Sequence, residues 1–457
     1  MASRKDQLQS YQFLVQRFVS ALIMRETDPA QVPFRRLAGA AFASVMVAVL
    51  ALAGVGIYGL LRPGGDKSWQ SGRAIVVEKE TGTKFVVRDG VLHPVANYVS
   101  AVLIQGSTKT DSVGRSSLVG YPRGARLGIA DAPDSLPAAN QLLDGPWSLC
   151  MQPQKDDAPV SVLGVGITPQ GGHELKQKAV VAQERGSGDA WLITNGRRFP
   201  ITDQEAVLPA LGLNSQPQLP VSEAWLGGLP SGDALGPLDL ANIGAPTAAR
   251  ADARVGQVFV AESAAYTVAT ADELLAVTPL QAAIQLADDA TEAAYPDGEP
   301  VALEIPANEA PQPKEPDTRP EAPPATAPTG DSDIRATSAT CAAFSGAAGN
   351  PKIVVDSEPL ASSTVTSASA EDAVLVDRVA LEPGRAALVR ALPTPNADSG
   401  TLYLISDDKR RHPLSSAEVA AVLGYRDVRP VDLPAALVER LPVGSELDPK
   451  AATRPVT

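Results

Sequence analysis

The chain has 457 residues, a net charge of −13 at pH 7, 44% hydrophobic residues, 4% aromatics and only two cysteines. That length suits about three domains, and scarce aromatics with 37 Gly and 40 Pro favour several small, loop-rich modules over one large core. The acidic balance excludes a nucleic-acid binder, which would need a basic face.

The first segment, residues 1–36, contains an amphipathic helix over Gln7–Met24. Leu8, Tyr11, Leu14, Val15, Phe18, Val19 and Leu22 recur at three- and four-residue steps and form one apolar stripe. Thr27-Asp28-Pro29 then breaks the helix. No domain core accompanies it, so the stripe is expected either on the membrane surface or against a partner. The partner is preferred, with Tyr11, Leu14, Val15, Phe18 and Leu22 as the binding residues.

Residues 37–61 read LAGAAFASVMVAVLALAGVGIYGLL and carry no charge. At helical rise they span roughly 37 Å, enough to cross a hydrocarbon core of about 30 Å. Six basic residues precede them: Arg4, Lys5, Arg17, Arg25, Arg35 and Arg36. That bias predicts a single-pass protein with a cytoplasmic N-terminus and an extracytoplasmic body. A cleaved signal peptide would be shorter and nearer Met1, and the triplet Ala51-Leu52-Ala53 lies inside the apolar run.

Both cysteines, Cys150 and Cys341, lie beyond the span. In an oxidising compartment one disulfide between them is the simplest reading, the alternative being two unrelated buried thiols.

An internal repeat follows the span. Its copies are TKFVVRDGVLHPV (83–95), AWLITNGRRFPI (190–201), AYTVATADELLAVTPL (265–280) and TLYLISDDKRRHPL (401–414). Each has a β-rich run, a turn pair, a short second run and a proline. The turn pairs are Asp89-Gly90, Asn195-Gly196, Asp272-Glu273 and Asp407-Asp408, of which Asp-Gly and Asn-Gly tolerate the positive φ of a two-residue hairpin. A helix is expected after each of Pro94, Pro200, Pro279 and Pro413, with the proline near its first turn. In the fourth copy Ser415 and Glu418 have capping-box spacing. A Pro-x-Gly triplet closes the copies at Pro122–Gly124, Pro230–Gly232, Pro296–Gly298 and Pro442–Gly444.

The expected layout is therefore α+β, with four small α/β repeats at 67–125, 188–245, 250–305 and 396–450. A central β-rich domain is split between 126–187, with Cys150, and 331–395, with Cys341. Glu309–Thr329 carries seven prolines among acidic and small residues, so 306–330 is expected to be an extended, poorly ordered linker. Ala451–Thr457 is expected to be a loose tail.

No catalytic constellation declares itself by spacing. The sequence has no G-x-x-x-x-G-K-[ST], no H-E-x-x-H and no G-x-S-x-G. The histidines are His93, His173 and His412, and two of them precede repeat prolines at matching positions, which points to a structural role before a metal-binding one. Gly164-Val165-Gly166 lacks the third glycine and the helix of a dinucleotide motif. No catalytic, cofactor-binding or metal-binding residue is assigned.

The stretches Lys5–Pro29 (KDQLQSYQFLVQRFVSALIMRETDP), Val91–Ile104 (VLHPVANYVSAVLI), Ser116–Pro137 and Pro146–Cys150 (PWSLC), with the single span, resemble the EccB family of the type VII (ESX) secretion system. The resemblance implies four repeats around a disulfide-bearing central domain and a rod- or propeller-like exported body. It also implies a place in the plasma membrane beside the EccC ATPase, EccD, EccE and other EccB copies. The function expected on that basis is a non-enzymatic structural component of the secretion complex. A membrane-anchored hydrolase, for which ATP has been suggested in the family, and a cell-wall-binding module are the alternatives.

Overall fold

The computed structural model describes residues 3–24, 34–61, 68–154, 157–262, 265–315, 317–335, 337–361, 364–365 and 374–456. The chain divides into two compact units, residues 1–68 with 113–120, and 69–112 with 121–457. The first contains two long helices, Arg4–Met24 and Phe34–Leu61. Ser3 and Asp6 cap the first reciprocally: the Ser3 N–H donates to Asp6 Oδ2 at 3.0 Å and the Asp6 N–H to Ser3 Oγ at 3.4 Å. The second helix contains Ala38–Tyr58, which is long and apolar enough to cross a membrane. The break at Thr27–Pro29 lies outside the described residues.

The second unit is built of five sheets. Four are copies of one module: a three-stranded antiparallel meander, a helix, and a fourth strand that returns beside the first, giving strand order 3-2-1-4. Repeat 1 uses Ile75–Glu78, Lys84–Arg88, Val91–Pro94, the helix Tyr98–Gln105 and Thr110–Val113. Repeat 2 uses Ala179–Glu184, Ala190–Thr194, Arg197–Pro200, the helix Gln204–Leu211 and Leu219–Val221. Repeat 3 runs from Val258–Ala261 through Tyr266–Ala269, Leu274–Val277 and the helix Pro279–Ala287 to Leu303–Ile305. Repeat 4 comprises Ala387–Leu392, Thr401–Ile405, Arg411–Pro413, the helix Ala417–Val422 and Val431–Pro434. In repeats 2, 3 and 4 the last strand is parallel to the first, and the helix supplies the crossover that such a pairing needs.

The fifth sheet is central and has seven strands. Their order is Thr364–Val365, Arg378–Ala380, Asp157–Gly164, Trp147–Gln154, Ala339–Phe344, Lys352–Ser357 and Gly171–Glu174. Segments from before repeat 2 and after repeat 3 thus share one ladder. Cys150 and Cys341 stand directly opposite each other on its fourth and fifth strands.

Several expectations are corrected by this arrangement. Ala179–Glu184 and Ala387–Leu392, assigned above to the central halves, pair inside the sheets of repeats 2 and 4, so those modules start one strand before 188 and 396. Pro94, Pro200 and Pro413 end the third strand of their sheets rather than opening a helix. The helices start four residues later, after Asn97, Asp203 and Ser416, and the Asn97 and Asp203 side chains accept from the first-turn N–H groups. Only in repeat 3 does the proline occupy the first turn, with Thr278 as cap. Ser415 and Glu418 form no capping box: the Ser415 hydroxyl donates to the Leu447 carbonyl at 3.3 Å.

The Asp89-Gly90 and Asn195-Gly196 turns have positive φ at both residues, as a two-residue hairpin requires. The equivalent turn of repeat 4 runs on to Lys409 at φ 64°. The Pro-rich segment is extended but is held along repeats 2 and 3. The Asp233, Leu280 and Ala179 N–H groups donate to the carbonyls of Glu321, Ala325 and Thr329 at 2.8–3.0 Å. The C-terminal residues are also pinned, because the Gly128 N–H donates to Arg454 O at 3.1 Å and the Val456 N–H to Arg126 O at 2.9 Å.

Candidate functional site

Three features qualify as functional surfaces or centres: the repeat junctions, the disulfide-bearing middle, and the apolar helices. In repeats 1, 2 and 4 the chain returns after the fourth strand and lays its Pro-x-Gly triplet along the open edge of the third strand. The N–H groups of Leu92, Arg198 and Arg411 donate to the carbonyls of Pro122, Pro230 and Pro442 at 2.8–3.0 Å. The glycine N–H groups then donate back across the same edge at 2.8–3.1 Å. An edge that would otherwise invite pairing with another chain is thereby covered.

The residue before each repeat proline explains the glycine. A Cβ placed on Gly124, Gly232 or Gly444 would lie 2.2 Å from a ring atom of His93, Phe199 or His412, respectively. The matching histidines seen in the sequence are therefore packing residues that stack on a bare backbone. His93 Nδ1 lies 2.9 Å from the Ala125 carbonyl and His412 Nδ1 lies 3.1 Å from the Ser445 carbonyl. His412 is fully buried, and its Nε2 is 2.7 Å from Asp408 Oδ2. Burial alone would raise the Asp408 carboxyl, yet the His412, Arg410 N–H and Ser406 partners together hold it below the usual carboxylate range. Gly298 in repeat 3 meets nothing within 4 Å, so its Pro-x-Gly lacks this role.

The modules share cores rather than touching as separate bodies. Trp147, Leu149 and Leu163 of the central sheet, Val180, Ile193 and Trp225 of repeat 2, and Val389, Ile405 and Leu437 of repeat 4 belong to one buried cluster. The Trp225 indole N–H donates to the Leu149 carbonyl at 3.1 Å. Gly228 is required beside it, since a Cβ there would lie 2.3 Å from Leu149 Cδ2. A second cluster joins Val86 and Val102 of repeat 1 to Leu404 and Val419 of repeat 4, and a third joins Leu208 and Leu211 of repeat 2 to Leu280 and Ile284 of repeat 3. Shared cores thus link the modules in the order repeat 1, repeat 4, centre, repeat 2, repeat 3.

Cys150 and Cys341 form a disulfide at the middle of the central sheet and are both fully buried. The bond joins positions 191 residues apart, so it closes the central domain around repeats 2 and 3. His173 belongs to the edge strand of this sheet, where its Nε2 lies 2.8 Å from Asp331 Oδ2, with Lys178 Nζ 3.4 Å from the other oxygen. Burial pushes the Asp331 carboxyl up, but His173, the Asp333 N–H and Lys178 hold it low. An open cleft of about 1050 Å³ lies beside this group, lined in part by Lys176, Thr194 and Thr329. Among the described residues there is no group of three His, Cys, Asp or Glu side chains placed to hold a metal ion.

The helix Arg4–Met24 leaves its stripe uncovered: Tyr11, Leu14, Phe18 and Leu22 are each 66–69% exposed, and Val15 43%. Phe13, also exposed, stands outside the stripe by helical spacing and was not part of the sequence assignment. Along Ala38–Tyr58 the large apolar side chains are exposed as well, for example Phe42, Leu52 and Val55 at 70–72%. Such a surface needs lipid or protein around it.

Comparison with known proteins agrees with these features. Residues 1–455 match the EccB family pattern described as "Type VII secretion system ESX-1, transport TM domain B". The chain is 29% identical over 296 residues to the ESX-3 secretion system ATPase EccB3 of Mycolicibacterium smegmatis, covering 61% of this chain and 56% of that protein. It is also 29% identical over 299 residues to the ESX-5 secretion system ATPase EccB5 of Mycobacterium tuberculosis, covering 62% and 58%. It therefore spans less than two thirds of the length of these curated relatives. A chain of the intact ESX-5 inner membrane complex has the same fold, with TM-score 0.61 and 24% identity, over 100% of this chain and 96% of that one. A chain of the EccB3 dimer from the ESX-3 core complex superposes with TM-score 0.59 and 25% identity, over 83% and 100%. With a family pattern running from its first residue to residue 455, over helices, repeats and disulfide alike, the chain belongs to the EccB family of type VII secretion systems.

Proposed function

We propose that this chain is a structural, non-enzymatic component of a type VII secretion membrane complex, needed for protein export across the cell envelope. The observation that supports it best is architectural. Five small sheets are locked together by shared cores and a buried disulfide, a build suited to holding position. The chain continues into an uncharged helix and an exposed apolar stripe, both of which call for neighbours. In this reading the N-terminal stripe lies in the cytoplasm and the repeats outside, which the basic flank of that helix supports. Its partners in this reading are the EccC ATPase, EccD, EccE and further EccB copies.

Within that reading Tyr11, Leu14, Val15, Phe18 and Leu22 dock on the membrane-proximal cytoplasmic part of EccC or EccD. Each buried side chain contributes roughly 1.5–3 kcal/mol before ordering costs. Movement driven by ATP in the cytoplasm then bears on an exported scaffold that hydrolyses nothing itself. Replacing Leu14 and Phe18 with Asp tests this: insertion should persist, because the span is untouched, while the partners and export are lost. Normal co-purification and export by the double variant would reduce the stripe to a membrane-surface helix.

The second reading is hydrolysis of ATP, favoured by the word ATPase in the names of the relatives. The absence of a Walker-type phosphate cradle from the sequence weighs against it. Turnover by the purified chain, free of the other members, separates the two.

A further inference from the structure

The charge of this protein is segregated along the order in which its modules are joined. Residues 250–333, repeat 3 and most of the Pro-rich segment, hold 16 acidic and four basic residues, nearly the whole net charge of −13. Residues 69–127, repeat 1 with its return segment, have the opposite balance, with eight basic and four acidic residues. Shared cores put repeats 1 and 3 at the two ends of the series.

Within repeat 1 four of the eight basic residues lie at one end of the sheet, while Lys79, Lys84 and Arg126 lie toward the other. The first strand starts there, just after Arg73. The second strand ends there at Arg88, ahead of the Asp89-Gly90 turn. The Ile75 N–H donates to the Lys109 carbonyl, which brings the start of the fourth strand to the same end. The Leu92 N–H donates to Pro122 O, which brings Arg123 there too. Arg73, Arg88, Lys109 and Arg123 are all exposed. Arg123 lies over the Phe85 ring at 5.1 Å, and the other three have no side-chain partner among the described residues. Asp89 and Asp111 are the acidic residues nearest this end in the chain.

This is also the end at which the chain arrives from the apolar helix. Seven residues, 62–68, separate Leu61 from Trp69, so the chain between them reaches at most about 28 Å. We propose that this near end of repeat 1 is a foot that binds the anionic phospholipid surface of the membrane spanned by Ala38–Tyr58. The lipid phosphates neutralise Arg73, Arg88, Lys109 and Arg123, while the acid-rich repeat 3 is repelled from the same surface. The opposed charges fix the direction in which the repeats stand away from the bilayer, which a seven-residue tether alone would leave free. Each basic side chain close to an anionic surface strengthens binding about 5-fold, hence about 600-fold for four acting together. The effect is confined to a salt-dependent layer of about 8–10 Å.

The proposal rests on the reading of Ala38–Tyr58 as a membrane span and is independent of any enzymatic activity. The full chain is placed in nanodiscs of pure phosphatidylcholine or of phosphatidylcholine with 30% phosphatidylglycerol (a composition on the order of anionic-leaflet charge). Amide hydrogen exchange is then followed by mass spectrometry. Peptides containing Arg73, Arg88–Leu92 and Lys109 should exchange at least about 10-fold more slowly in the anionic discs, with protection lost in high salt. The triple variant Arg73→Glu, Arg88→Glu, Lys109→Glu should lose the difference. Lys79→Glu, at the far end of the same sheet, should keep it, and central-sheet peptides should report an intact fold in both. Equal exchange in the two kinds of disc would overturn the proposal while leaving the span intact. Protection that follows protein concentration instead of lipid charge would assign the surface to a second copy and overturn it equally. Failure to enter either disc would remove the span and the foot together.

Discussion

The glycine–ring contacts give the sharpest quantitative test of the repeat packing. Gly124, Gly232 and Gly444 do not have left-handed backbone, so alanine at each meets no conformational penalty and gains about 0.4–1 kcal/mol from the stiffer unfolded chain. Against that gain stands a Cβ 2.2 Å from a ring atom of His93, Phe199 or His412, far inside van der Waals contact. The outcome depends on whether the ring can move. His93 is half-buried with one polar contact, so it can swing out, and Gly124→Ala should cost less than about 1 kcal/mol. Phe199 is 3% exposed and has no free side, and Gly232→Ala should cost about 1–3 kcal/mol. His412 is fully buried between the Asp408 carboxylate and the Ser445 carbonyl. Moving its ring sacrifices a charge-assisted hydrogen bond worth about 1.5–3 kcal/mol in addition to the overlap. Gly444→Ala should therefore destabilise most, by about 3 kcal/mol or more. Urea unfolding of the full chain in detergent, followed by tryptophan fluorescence, measures the series. Three equal costs, or Gly124→Ala as the worst, would refute the ring-mobility reasoning.

Replacing Cys150 and Cys341 together with Ala should lower the stability of the central sheet by about 2–5 kcal/mol, because a loop of 191 residues is released in the unfolded chain. A shift below about 1 kcal/mol in the same urea assay would contradict it. Asp331 and Asp408 have folded pKa values below their unfolded ones, so each adds stability that is present above about pH 4 and lost as pH falls through the folded value. Thermal midpoints should drop between pH 5 and pH 3, and Asp331→Asn should flatten that drop. An unchanged acid limb in the variant would show that Asp331 does not contribute to it.

Much of the layout was legible because the signals are local. Asp89-Gly90 and Asn195-Gly196 announce hairpins through the positive φ they tolerate, and an uncharged run of this length announces the span. The first strand of each module was harder. Ala179–Glu184 and Ala387–Leu392 are short apolar runs whose pairing with a parallel fourth strand is set by a distant segment, beyond the reach of periodicity. The prolines point to a helix start close by because Pro is favoured in a first turn, yet a stronger signal stands three residues further on. Asn97, Asp203 and Ser416 are cap residue types at equal distance from Pro94, Pro200 and Pro413. The Pro-rich segment has the composition of a free linker, and only tertiary backbone hydrogen bonds to repeats 2 and 3 order it. Among the candidate site residues, the two cysteines were identified by elimination. The role of the histidines required the three-dimensional approach of Gly124 and Gly444.

The central claim is that the chain acts as a scaffold within a membrane assembly. Affinity isolation of the tagged full chain from membranes dissolved in mild detergent, with its companions identified by mass spectrometry, tests this most directly. The account predicts recovery in one particle with EccC, EccD, EccE and further copies of the chain. Recovery of the chain alone, as a monodisperse species from membranes that contain those proteins, would contradict it.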